Sequence, residues 1–420
     1  MNPRIALPAV VLGLAPTVAW SRQEPTERST EQRLQELERQ NRELLERLDA
    51  IEEAGLEGDG GESEFRIFDS ERPGISFHYG DVRGTFRIFA DLGFAYSNPE
   101  APDQGHSAFS LGTVDLFGSI QLGEHVQILS ETLIKKRGDD TGIEQERLWA
   151  SWAFDDRLYV KFGVDHSPIS HWNRIYHHGT WLFTTAGRPF LGQFEEGSGF
   201  LPAHYAGIEI GGTAPTCLGW VEYLGIVSNG RGPDADERQV YSDANDDKAF
   251  DLALGLAPTG LDPLRVGAAV HLDKIPEEET PGSFPMPRPM REQIATAYAD
   301  WRGSDFEVLA EGGIIRHRDT STNDTYYHRS GYVQVGYHCG DWTPYTRFDI
   351  RSMREGDPYF AEANRDLDRR VQLLGMRYDL HSNLAAKLEL GLGRTERRRP
   401  SGDLTRDDLT TVEFQLAWVF

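Results

Sequence analysis

The chain has 420 residues, a formal net charge of -24, a mean hydropathy of -0.51 and two cysteines. No apolar run of about twenty residues occurs beyond the N-terminus, which excludes helical membrane spans. No basic stripe stands out to neutralise phosphates, which argues against nucleic acid as a partner.

Residues 1–19 read as a secretory signal: Arg4 gives the positive start, Ile5 to Leu14 the apolar stretch, and Thr17-Val18-Ala19 a small-residue cleavage site. Residues 24–53 change character. Leu34, Leu37, Asn41, Leu44, Leu48 and Ile51 follow a 3-4 spacing, the a/d seam of a coiled coil with one polar position at Asn41. An isolated helix of this length is marginal in water, so the seam predicts partner helices, whose number the Leu-rich a/d positions leave open. Gly55, Gly58, Gly60 and Gly61 open an acidic, flexible linker over 54–74.

From residue 75 to 420 the pattern is strand after strand. The end of the chain displays it most clearly. Thr410, Val412, Phe414, Leu416, Trp418 and Phe420 share one parity and are mostly apolar, while Thr411, Glu413 and Gln415 occupy the other. As an open edge such a strand would aggregate; in a closed barrel its apolar face meets lipid. A negative mean hydropathy is compatible with that, because every second residue faces a polar lumen. Sixteen runs of transmembrane length are predicted, near 83–97, 107–122, 125–136, 144–154, 157–165, 203–213, 217–229, 247–257, 263–273, 290–301, 304–316, 328–339, 342–353, 368–379, 383–395 and 408–420. The expected fold class is therefore all-β: a 16-stranded antiparallel transmembrane barrel with an N-terminal helical coiled-coil segment.

Short turns such as Gly123-Glu124 and Arg302-Gly303 alternate with long connections at 98–106, 137–143, 166–202, 230–246, 274–289, 317–327, 354–367 and 396–407. Short turns on one side and long loops on the other are the arrangement of outer-membrane barrels. Cys217 and Cys339 fall in short turns far apart on the barrel, so no disulfide is expected.

Parity assigns Phe86, Ile88, Leu92, Phe94, Leu158, Phe162, Val270 and Leu272 to the outer face. The inner face then holds Arg83, Arg87, Asp91, Asp115, Arg147, Lys161, Glu209, Arg265, Arg347, Arg351, Arg377 and Lys387, with Asp251, Asp300, Glu307 and Glu311 as an acidic wall. Facing lipid at mid-depth, each would cost a few kcal/mol. The connection 166–202 is the longest and is rich in aromatics, which marks it as functional. Folded into the barrel it would narrow the bore, and charges at such a constriction set selectivity. Its polar residues His171, Arg174, His177, His178, Arg188, Glu195 and Glu196 are the candidate constriction set. His171, His177 and His178 have no Cys or carboxylate at the spacing of a known site, so no metal and no cofactor are expected. No nucleophile motif is visible and no enzyme is expected.

The signal segment, heptad helix, sixteen strands, long third outer loop and terminal Phe together resemble the trimeric outer-membrane porins. The similarity is greatest to those with an N-terminal periplasmic coiled coil, the DcaP-like group near the phosphate-selective porins O and P. It rests on architecture, with no short diagnostic motif. It implies a third loop folded inward against a basic wall, here Arg83, Arg87, Arg347, Arg351, Arg377 and Lys387, with Glu195 and Glu196 facing it. It also implies a homotrimer in outer-membrane lipid passing small hydrophilic solutes, with the helix in the periplasm, in reach of peptidoglycan or another periplasmic protein. The alternative is a barrel with a plugged lumen that acts as a hydrolase or an envelope anchor, with His177 or His178 as the residues to test.

Overall fold

The computed structural model describes residues 64–66, 73–101, 105–137, 140–177, 179–193, 200–233, 243–277, 289–360, 366–398 and 403–420. The expected signal segment, the heptad seam and most of the linker lie outside the described residues, as do His178, Glu195 and Glu196. Among the described residues no helix is long and apolar enough to cross a membrane.

Among the described residues, eighteen strands form one sheet. Two are short, β1 (Glu64–Arg66) and β2 (Ile75–Tyr79). The other sixteen begin with β3 (Val82–Ala101), β4 (Gly105–Leu122), β5 (Val126–Arg137), β6 (Asp140–Asp155) and β7 (Leu158–His166). They continue with β8 (His204–Thr216), β9 (Gly219–Ser228), β10 (Ala249–Pro258), β11 (Leu264–Ile275), β12 (Met290–Arg302) and β13 (Phe306–Asp319). The last are β14 (Thr325–Tyr337), β15 (Trp342–Ser352), β16 (Asp366–His381), β17 (Leu384–Arg398) and β18 (Leu404–Val419).

Each of the sixteen pairs antiparallel with the next, and β18 returns to β3 from Thr410↔Asn98 to Val419↔Phe89. That last pairing closes the barrel and removes the edge that the terminal strand would otherwise present. The final residue takes part: Phe420 N–H donates to the Ile88 carbonyl (3.0 Å) and its own carbonyl accepts from Ile88 N–H (2.6 Å). Where β18 ends, β2 takes over as the neighbour of β3, from Ile75↔Phe86 to Tyr79↔Val82.

The predicted parity holds on the outside. Phe86, Leu92, Phe162, Val270, Leu272 and Phe414 are exposed, while the alternate residues Lys161, His271, Gln415 and Ala417 are buried. On β17 the outward series Leu388, Leu390, Leu392 gives way to Arg394 and Glu396; on β18 the outward Asp408 and Arg406 lie beside them. Leu384 to Leu392 covers about 26 Å along the strand, about 20 Å of height at a tilt of about 40°, which is most of the about 25 Å apolar band of a membrane barrel. The outer surface is therefore greasy for most of one bilayer thickness and charged beyond it. Toward the short turns, Tyr79, Trp152, Phe306, Tyr337 and Trp342 are all exposed, as an interfacial aromatic girdle requires.

The strands run further than the sequence suggests at the charged end. Four of the connections expected to be long shrink to tips at 102–104, 138–139, 320–324 and 399–403, because the flanking strands go on pairing. Extended antiparallel ladders satisfy the backbone there, and a free loop would leave those groups to water. The long connections that remain are 167–203, 229–248, 276–289 and 353–365. Cys217 and Cys339 are free and exposed.

Candidate functional site

The connection 167–203 folds against the inner wall, and its base is fixed by the register of its two strands. His166 stands opposite His204 at the β7–β8 pairing, and Ser167 N–H donates to the Ala203 carbonyl at 2.7 Å. The loop then enters a short helix, α1 (His171–Tyr176), capped by Ser170, whose hydroxyl accepts from Asn173 N–H. A one-turn helix leaves its first amides without intrahelical partners. Glu311 of β13 supplies them: its carboxylate accepts from the His171 and Trp172 amides (2.8 and 3.2 Å) and from the Ser170 hydroxyl (3.3 Å). Negative charge at this position also suits the helix dipole. The His171 ring stacks on Tyr298 (3.8 Å between centroids) with Nε2 3.0 Å from Asp300, which Arg302 also pairs at 2.9 Å.

Beyond α1 the loop has no ladder of its own, so its carbonyls need outside donors. The basic residues of β15, β16 and β17 provide them. Arg347 donates to Thr185 Oγ1 (2.8 Å) and to the carbonyls of Gly187 (2.8 Å) and Arg188 (3.1 Å) while Asp349 holds its Nε at 2.7 Å. Arg377 donates to the carbonyls of Trp181 (2.8 Å) and Phe183 (3.1 Å). Lys387 donates to those of Thr180 and Thr185 and lies 4.4 Å over the Phe183 ring. Arg351 reaches Gln193 Oε1 at 3.2 Å. Acids on the same wall take the loop's amides: Glu389 accepts from Ala186 N–H (3.3 Å) and Asp349 from Phe190 N–H (3.4 Å). The apolar side of the loop completes the contact. Ile169, Trp172, Phe183, Leu191, Phe200 and Leu201 form one buried cluster with wall residues including Ile294, Leu309 and Ile315.

The opposite wall carries a second ionic system that the loop does not cover in the same way. Lys161 bridges Asp165 (2.6 Å) and Glu209 (2.8 Å), Arg147 pairs Glu131, and Tyr159 and Tyr205 donate to Glu209 (2.6 and 2.8 Å). One open space lies between this wall and the loop, and a second lies between the loop and β9 to β12. A cavity of about 200 Å³ is bounded by Arg87, Asp115, Glu131, Arg147, Arg174 and His177, among others. One of about 310 Å³ is bounded by His171, Arg174, Glu222, Arg265, Thr296 and Tyr298, among others. Arg174 and Ile175 line both, and Arg174 pairs Glu222 across the second at 3.1 Å.

The residues singled out from sequence thus divide into groups. Arg347, Arg351, Arg377, Lys387, Asp300 and Glu311 hold the loop. Arg174 lines the open side, Arg188 donates to the His177 carbonyl (2.7 Å), and Arg83 is exposed. Arg87 lines the smaller cavity and donates to the Pro73 carbonyl at 3.0 Å. Asp251 pairs His271 at 2.6 Å, and Glu307 accepts from Gln334 at 3.1 Å. Asp349, Glu389, Glu146, His166 and His204 were not singled out. His166 opens the predicted connection 166–202 and His204 follows it, and pairing the two ends could have found both.

No protein-family model matches the chain, and no curated protein matches it. Solved structures do. An anion-selective porin from Comamonas acidovorans superposes with TM-score 0.57 at 14% identity, covering 81% of this chain and 100% of that one. The outer membrane channel DcaP of Acinetobacter baumannii gives 0.54 at 10%, covering 81% and 97%. The trimer form of the outer membrane protein OmpT of Vibrio cholerae gives 0.52 at 10%, covering 81% and 99%. At these identities the likeness is one of fold: this chain has the sixteen-stranded barrel of outer-membrane porins.

Proposed function

We propose that the protein is an outer-membrane porin, a passive channel for small hydrophilic, charged solutes, and that the inward loop narrows its bore. One observation carries this reading: a barrel with a lipid-height apolar exterior holds a loop inside it by charged hydrogen bonds, and cavities stay open along one side. A loop held on one wall leaves a passage along the other. The fold likeness to a channel and to an anion-selective porin supports the same reading.

The passage then runs past Arg87, Arg147, Arg174 and Arg265 on one hand and Asp115, Glu131 and Glu222 on the other. Opposed charges of this kind orient a charged solute and raise its local concentration. The trimer form among the structural neighbours favours a homotrimer, and the heptad seam calls for partner helices without fixing their number. The seam also favours the group of porins with a periplasmic coiled coil.

Single-channel recording in a planar lipid bilayer tests the proposal. Folded protein should give stepwise ion currents that come in threes if it is trimeric. Protein that shifts on heating in a gel, as folded barrels do, yet passes no current would overturn it.

A further inference from the structure

Among the described residues, three groups of histidines and acids gather on the inside of the barrel: His317 with His328 and Asp357, His271 with Asp273 and Glu292, and His166 with His177 and His204. The first two are joined through Glu292, which Arg231 and His317 bond at 3.0 and 2.7 Å, and Asp357 bonds His317 and His328 at 2.7 Å each. Those two groups offer two imidazoles and one imidazole respectively, the rest of their ligand atoms being carboxylate oxygens. The third group is built differently.

His166, His177 and His204 are all buried, with ring centroids 4.6, 5.1 and 5.1 Å apart and their ligating nitrogens within 4.8 Å of one another. One tautomer can be assigned. Asn173 Nδ2 donates to the carbonyls of Ser167 (3.1 Å) and Ala203 (2.6 Å), which fixes its Oδ1 as the acceptor for His177 Nδ1–H. That leaves the lone pair of His177 on Nε2. A hydrogen-bonded second nitrogen is the usual support of a metal-bound imidazole.

The carboxylate is also placed deliberately. Glu146 is the extra residue of a bulge in β6, where Glu131↔Arg147 is followed by Thr132↔Gln145. Bulges re-aim a side chain; this one leaves Glu146 fully buried with Oε2 3.1 Å from His204 Nε2. Around the group stand Lys135, 4.0 Å from Glu146, and Glu131, 3.9 Å from His166.

We propose that His166, His177 and His204, with Glu146, bind one divalent transition-metal ion and that the ion ties the two ends of the inner loop to its middle. Three imidazoles and a carboxylate suit zinc, with nickel and copper as competitors. Tetrahedral zinc needs ligand atoms about 3.3 Å apart, so binding would draw the rings together. The proposal requires only the fold and does not depend on the channel reading.

Detergent-solubilised full-length protein, stripped with a chelator and titrated with zinc chloride, should bind one ion per chain. X-ray absorption should report histidine scattering around it. His177→Ala and His204→Gln should each weaken binding at least tenfold, and His317→Ala should leave it unchanged. Binding equally tight in both variants, or a spectrum explained by oxygen ligands alone, would overturn the site. The spectrum of the wild-type protein decides the matter even if a variant fails to fold. Loss of conductance without loss of zinc binding would count against the channel and leave the metal site standing.

Discussion

Arg347 is nearly inaccessible to solvent, and its charge is balanced by Asp349 at 2.7 Å. Removing one partner of such a pair leaves the other as an uncompensated buried charge, which costs about 3–5 kcal/mol. Arg347→Ala should therefore destabilise the barrel by that order in urea unfolding. Replacing both residues together, Arg347→Met with Asp349→Leu, should cost clearly less, although the loop carbonyls lose their donor in both. Equal losses would mean that the loop contacts dominate and the desolvation argument is wrong. A second residue reports through pH. Asp357 lies in the connection after β15; burial raises its pKa, but the charge of His317 and hydrogen bonds from His317 and His328 outweigh it and hold the carboxyl well below the usual range. A depressed folded-state pKa gives stability that is complete above the unfolded value of about 4 and is lost as pH falls through the folded one. Asp357→Asn should thus be less stable than wild type at pH 6, and the gap should shrink as pH drops from about 5 toward 2. The nearby Glu292 and Arg231 are unchanged by the substitution, so a gap that stays constant would refute the assignment.

At the level of elements, the strands could be read from the chain because their information is local. A period of two with an apolar parity, as in β17 and β18, needs no knowledge of what lies opposite. The inner loop is another matter. Its fixed position depends on contacts such as Lys387 to Thr185 and Glu311 to His171, far apart in sequence, and no local pattern announces such pairs. The histidines teach the same lesson. His171 and His177 look like one cluster along the chain, yet α1 turns His171 toward Asp300 while His177 meets His166 and His204. Likewise Glu146 was hidden because a bulge breaks the parity that would have placed it. The loop's attachment is apolar as well as ionic, which yields a prediction at this scale. Leu191 is fully buried and sits against Gly313 of β13. Leu191→Ala should weaken the docked state of the loop, not the barrel as a whole, by about 2–5 kcal/mol if the site cannot collapse. Because it loosens the loop and leaves the strands alone, single-channel current noise should rise, and barrel melting should fall only modestly. Unchanged noise with a large drop in melting would show that the loop is a structural part of the barrel and does not border the path.

Across the whole molecule, the question is which of the many inner charges a passing ion feels. Charge on the inner wall does not by itself set selectivity, because a guanidinium saturated by carbonyls and a carboxylate beneath a packed loop is both shielded and neutralised. Arg347 is in that position, and Arg351 is buried beside the loop with the Gln193 side chain as its acceptor. Arg265 and Arg174 border the larger cavity, so an ion on the proposed route would come within the about 8 Å screening length of physiological salt. Reversing a charge there changes the sign of the nearest field. Reversing or removing one under the loop changes mainly the loop's hold. Arg265→Glu should accordingly move the reversal potential in a potassium chloride gradient toward that of potassium. Arg351→Gln should leave the potential near the wild-type value even if it alters conductance. If Arg351→Gln moved the potential as far as Arg265→Glu, ions would have to travel beneath the loop, and the path along β4 to β12 would be wrong. If neither moved it, the open cavities would not be part of the conducting route.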